Sequence, residues 1–98
     1  MRKDLSPGAK IAQSCHALIN FREQHELLAK QWIKNSNYII ILEADLNIIY
    51  DLLSNAEKYS IVHSWFNEPD MNNEITSIVL EPCEKSKKIC QNLKLALS

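Results

Sequence analysis

Residues 38–44 read YIIILEA, a β-branched run with no polar alternation until Glu43. A strand with one wet face alternates apolar and polar residues, whereas a continuous run of this length belongs to a strand covered on both faces. Covering both faces requires helices, and the flanking sequence supplies them. Ser6 caps a helix that starts at Pro7, where a missing N–H costs nothing, and Gly8 lets another group approach the backbone. At about 100° per residue, Ile11, Cys15, Leu18 and Ile19 share one face and are assigned to the core. Lys10, Gln13, His16 and Asn20 fall on the other side and are assigned to solvent.

The helical pattern changes phase near Arg22 to His25, which predicts a bend or second helix that Asn35, Ser36 and Asn37 end. Asp45 opens a further helix with Leu46, Ile49, Leu52 and Leu53 at helical spacing. SIVHSWF (60–66) and EITSIVLEP (74–82) read as strands, the second with Ile75, Ser77 and Val79 on one face and Thr76, Ile78 and Leu80 on the other. Between them NEPDMNN is turn chemistry. A short helix over roughly Glu84 to Leu93 closes the pattern. The expected fold class is α/β: a small mixed β-sheet of three to four strands flanked by helices on both faces, with a crossover followed by a hairpin-like pair.

A chain of 98 residues is expected to form a single domain over 1–98. Eleven basic and twelve acidic side chains leave a net charge of -1, so a polyanion site has to be local. The basic residues gather at the two ends: Arg2, Lys3 and Lys10, then Lys85, Lys87, Lys88 and Lys94. Three cysteines without a C-x-x-C pair fit a reducing compartment, and the longest apolar run is too short to cross a bilayer. The expected location is the cytoplasm, with no membrane association. His25 and His63 have no sequence partner that suggests a metal site, and no cofactor is expected.

Three stretches, in order along the chain, resemble the type II peptidyl-tRNA hydrolase family. KDLSPGAKIAQSCHA (3–17) is similar to its opening, a strand ending in basic-x-Asp-Leu that runs into a Gly/Lys turn and a helix bearing Ala-Gln-x-x-His-Ala. NEPDMNNEITSIVLEP (67–82) is similar to its acidic turn and following Thr-x-x strand, and NLKLAL (92–97) to its Leu-Lys-Leu-Leu ending. Ala9 holds the usual place of the site lysine, with Lys10 three residues ahead of Gln13, and Glu81 stands where the family has glycine. The family's first strand would lie ahead of Asp4, where this sequence has three residues, so the resemblance is to a compact, N-terminally truncated member whose first strand is expected to be missing.

The resemblance implies metal-independent hydrolysis of the ester joining a peptide to the 3′-terminal ribose of tRNA. That reaction needs an aligned water, a proton acceptor and a cation near the developing oxyanion. The helix entrance favours an anion by about 0.3–1 kcal/mol and Lys10 adds a full charge there, so Lys10 is the electrostatic stabiliser. Asp70 is the preferred water-orienting carboxylate and Glu68 its rival, while Thr76 hydrogen-bonds substrate or water. Gly8, Gln13 and His16 are placed on the substrate-binding side, and Lys87 and Lys88 on the tRNA backbone. The partner implied is peptidyl-tRNA, and a homodimer is the implied assembly. The alternative is a non-catalytic relative that binds tRNA or a protein partner.

Overall fold

The computed structural model describes residues 1–36 and 38–97. Its elements are α1 (Pro7–Gln24), α2 (Glu26–Asn35), β1 (Leu42–Glu43), α3 (Leu46–Lys58), β2 (His63–Glu68), a 3-10 turn (Pro69–Met71), β3 (Glu74–Leu80), α4 (Glu84–Cys90) and β4 (Lys94–Leu95). Ser6 caps α1 through its hydroxyl, which accepts from the Ala9 N–H at 3.3 Å, and Pro7 stands at the first helical position. His25 separates α1 from α2, which matches the predicted phase change. α2 ends at Asn35 with Ser36 as its cap; Asn37, the third residue of the predicted stop, lies outside the described residues.

β1 pairs antiparallel with β4, and β2 antiparallel with β3. The first three residues join the two pairs. The Met1 ammonium donates to the Leu42 carbonyl at 2.7 Å, Ala44 N–H to Met1 at 2.9 Å and Lys3 N–H to Ala44 at 3.0 Å, while Arg2 N–H reaches Thr76 on β3 at 3.0 Å. Strand contacts therefore run β4, β1, Met1–Lys3, β3, β2, with a parallel bridge between Arg2 and Ala44. The expected α/β architecture with mixed strand directions is what the chain adopts. Burial pushes the Met1 amine below its ordinary range. Arg2 Nε and Nη2 form a two-pronged pair with Asp4 at 3.0 and 2.7 Å, which holds the Asp4 carboxyl below the usual carboxylate range.

The YIIILEA run behaves differently from its expectation. Only Leu42 and Glu43 form a strand, and Ile39, Ile40 and Ile41 are 58, 68 and 42 % exposed. β-branched composition favours a strand only where a neighbouring backbone completes the ladder. Among the described residues, that neighbour is Met1–Lys3 on one side and Lys94–Ala96 on the other, and both lie beside residues 41–44 alone.

α1 is also turned relative to the apolar-face expectation. Its buried residues are Lys10, Gln13, Ala17 and Phe21, while Ile11 and Ile19 are more than half exposed and Cys15 is exposed. Polar groups can occupy a buried stripe when each finds a hydrogen-bond partner. The sheet provides these along the whole helix: Asn20 Nδ2 donates to the Trp65 carbonyl at 2.9 Å and Ser64 Oγ to Gln24 Oε1 at 2.6 Å. Apolar spacing alone misses such a face.

In β3, strict alternation fails at one residue. Phe66 opposes Ser77 and Asn67 opposes Ile75, so Thr76 is an extra residue on β3, a β-bulge. The phase change puts Ile75 on the same face as Ile78. There both join Ala44, Ile49, Leu46, Leu53 and Leu93 in the core beneath α3. The opposite face, with Ser64 and Phe66, lies under α1, so helices cover both faces. Asp45 precedes α3, but its carboxylate pairs with Lys3 Nζ at 3.2 Å rather than capping the helix. α4 ends at Cys90, earlier than its spacing predicts, and Leu93 joins the core from the turn before β4.

Which face of α1 is inside can be measured. Ala17 is wholly buried, so Ala17→Leu should lower unfolding free energy by about 1–3 kcal/mol through overpacking. Ile19→Ser should change it by less than about 0.5 kcal/mol. Urea unfolding of both variants, with the larger loss at Ile19, would reverse the assignment.

Candidate active site

The buried stripe of α1 brings the helix entrance to the turn that follows β2. Lys10 and Gln13 are one helical turn apart on that stripe. Lys10 Nζ pairs with Glu43 Oε1 on β1 at 3.5 Å, with side-chain exposures of 11 % and 24 %. Glu43 is thus the ion-pair partner of Lys10, and it lies outside the set of residues expected from the sequence. Its signal was an acidic residue closing an otherwise apolar run.

Gln13 links two further residues. Its Nε2 donates to Glu68 Oε2 at 3.1 Å, and Thr76 Oγ1 donates to its Oε1 at 2.6 Å. Chemistry sets the direction. A carboxylate only accepts, so the amide NH₂ must face Glu68, which turns the amide oxygen to Thr76 and obliges the hydroxyl to donate. Thr76 is fully buried, so within this arrangement it acts through Gln13 rather than by touching solvent or a ligand. The bulge at Thr76 aims this hydroxyl at α1.

Glu68 caps the turn that follows it. Its Oε1 accepts from the Asp70 N–H at 3.4 Å while Oε2 takes the Gln13 amide, so both oxygens are oriented and the side chain stays partly open to solvent. Asn72 and Asn73 complete the turn with φ of 55° and 58°, a left-handed conformation that asparagine tolerates better than most residues. Asp70 lies exposed on the turn. Among the described residues its carboxylate has no hydrogen bond or ion pair, and its backbone N–H is its link to Glu68. Asp70 is the carboxylate that the family resemblance favours; of the two, Glu68 is the one joined to α1.

Gly8 is exposed at the start of α1, and a methyl group added there would meet nothing within 4 Å. No packing within the chain requires a glycine at this point. His16 is exposed and stacks on Phe66, with ring centroids 4.6 Å apart and planes 14° from parallel. Phe66 is a second residue absent from the sequence-derived site. In SIVHSWF it has only the composition of a strand residue, and nothing local marks it as a neighbour of His16.

Lys87 and Lys88 are not brought to this cluster by any described hydrogen bond or ion pair. They lie exposed on α4, which packs against α3, and Lys87 Nζ is 3.3 Å from Glu84. The other two histidines have structural roles. A ring nitrogen of His25 lies 3.0 Å from the His63 carbonyl and one of His63 lies 2.8 Å from the Ile61 carbonyl, so each must donate. The first bond fastens the α1–α2 joint to β2, and the second holds the His63 ring against the chain just ahead of it. The concave surface beside them, about 400 Å³, contains none of the Lys10, Gln13, Glu68 and Thr76 groups.

A protein-family model described as peptidyl-tRNA hydrolase PTH2 matches residues 1–96. No curated protein matches the chain. Among the described residues, no helix is long and apolar enough to cross a membrane.

Removing the hydroxyl at the bulge tests the buried link. Thr76→Val keeps the shape but leaves Gln13 Oε1 facing an apolar group, and should cost about 1–3 kcal/mol of unfolding free energy. The double variant Thr76→Val/Gln13→Leu should lose less than the sum of the two single losses. Additive losses in a double-mutant cycle would show that the two residues are not coupled.

Proposed function

The chain belongs to the peptidyl-tRNA hydrolase PTH2 family, and from that membership we propose that it hydrolyses the ester between a peptide and the 3′-terminal ribose of tRNA. The observation that carries this reading is the Gln13 amide, which holds Glu68 beside the helix that bears Lys10. In the proposed reaction Glu68 orients a water and takes its proton as the water oxygen attacks the ester carbonyl carbon. Lys10 and the Gly8 N–H stabilise the negative charge that develops on the carbonyl oxygen. The bond from carbonyl carbon to ribose oxygen then breaks, and the ribose oxygen takes a proton, leaving free peptide and tRNA.

The residues divide by role. Lys10 supplies charge, Glu68 handles the proton, and Gln13 with Thr76 positions Glu68. Gly8 leaves room for the substrate at the helix entrance, and His16 lies on the substrate side. Asp70, beside Glu68 on the exposed turn, stays outside the chemistry in this assignment. Lys87 and Lys88 offer charge to a tRNA backbone at a distance from the ester. Three free cysteines fit a reducing compartment, so we place the activity in the cytoplasm.

One observation favours a second reading. Lys10 is tied to Glu43, and a lysine neutralised in this way suits a descendant that binds tRNA without cleaving it. Binding that weakens steeply with salt, without peptide release, would identify that case.

Release of peptide from a peptidyl-tRNA by the purified protein is the direct test. Glu68→Gln and Lys10→Ala should each lower kcat/KM by about a hundredfold or more. Asp70→Asn should stay within a few-fold of the parent. Loss at Asp70 with Glu68→Gln active would reassign the carboxylate, and no release by the parent protein would end the hydrolase reading.

Gly8 separates stability from activity. Gly8→Ala should leave stability unchanged or raise it by up to about 1 kcal/mol, because alanine is the better helix former. If substrate approaches the backbone there, the same change should raise KM. Equal KM values in a steady-state comparison would remove Gly8 from the binding surface.

A further inference from the structure

We propose that the stacked His16–Phe66 pair is the platform on which the base of the ester-bearing nucleoside lies. This rests on the hydrolase reading above and adds to it a subsite for one part of the substrate. The imidazole lies nearly parallel to the Phe66 ring, at 14° and 4.6 Å. His16 is exposed, so with one face against Phe66 its other face is on the solvent side.

The pair stands next to the proposed chemistry on both elements that form it. On α1, His16 is one turn beyond Gln13, a rise of about 4.5 Å along the axis. On β2, Phe66 is two residues before Glu68, about 7 Å along the strand. The Gln13–Glu68 bond and the His16–Phe66 stack are therefore neighbouring rungs between the same helix and strand. In a nucleoside esterified at its 3′ oxygen, the base and the ester lie on opposite sides of the ribose. An ester held at Glu68 would set the base one ribose away, where the stack is.

Stacking suits this substrate. The last nucleotide of a tRNA is single-stranded, so its base has an open π-face that an aromatic side chain can cover. A platform without hydrogen-bonding selectivity is sufficient where the terminal base is the same in every substrate. Phe66 backs the imidazole and holds its plane, so the exposed ring is pre-oriented rather than free to rotate.

Titration of the full chain with adenosine 5′-monophosphate, followed by NMR, tests the platform directly. The ring protons of His16 should move upfield as the base stacks. Ribose 5-phosphate, which has no base, should leave them in place. His16→Ala should weaken nucleotide binding about tenfold, and His16→Phe, which keeps a stacking face, should restore most of it. Unmoved His16 protons, equal affinity for the two ligands, or a His16→Phe protein as weak as His16→Ala would each overturn the proposal. Peptide release is measured on the same preparation. Hydrolysis without a nucleotide response removes the platform alone, whereas a nucleotide response without hydrolysis keeps the platform and removes the activity.

Discussion

The side-chain amide of Gln13 is the contact on which the site depends. It is planar, with one donating and one accepting end, and its ends reach Glu68 and Thr76 from residues 55 and 63 positions away in the chain. Because a carboxylate cannot donate, the polarity of the whole link is settled once Glu68 is ionised. The same amide explains why α1 presents a polar stripe to the sheet. Rotating the helix to bury Ile11 and Ile19 would strand Thr76 in the interior without its partner.

Two backbone features allow that contact to form. The bulge at Thr76 changes the phase of β3, so that Thr76 serves α1 while Ile75 and Ile78 share the core beneath α3. Met1–Lys3 holds the two strand pairs together, with Ala44 on one side and the Thr76 carbonyl on the other. Thr76 thus takes a strand contact through its backbone and the site contact through its side chain. Bulges are found beside functional sites because one inserted residue re-aims a side chain without ending the strand.

Much of the organisation was legible from local chemistry. Ser6 and Pro7 marked the start of α1, the break near His25 followed from a change of phase, and α3 followed from Ile49 and Leu52. The asparagine pair after Asp70 marked a turn, and its left-handed backbone accounts for those residues. The buried face of α1 was hidden because periodicity weighs apolarity, and this helix buries polar residues that are satisfied elsewhere. The extent of β1 was hidden because a strand depends on a neighbouring backbone, and the composition of 38–41 says nothing about where that backbone ends. Glu43 and Phe66 were hidden for a related reason. Each matters through one partner on α1, and the pairing exists only once β1 and β2 lie beneath that helix.

By itself the amino-acid sequence determined the order of the elements from α1 to α4, the Ser6 cap, the turns, and the small set of side chains from which a site is proposed. These are short-range matters: a proline without an N–H, a hydroxyl placed to cap, a lysine in a first turn. Tertiary structure decided which of those side chains meet. It joined Glu68 rather than Asp70 to Gln13, tied Lys10 to Glu43, and buried Thr76 beyond reach of solvent. The reason is that a hydrogen bond requires its partners within about 3 Å, and residues so far apart in the chain reach that distance only through the packing of one helix across several strands.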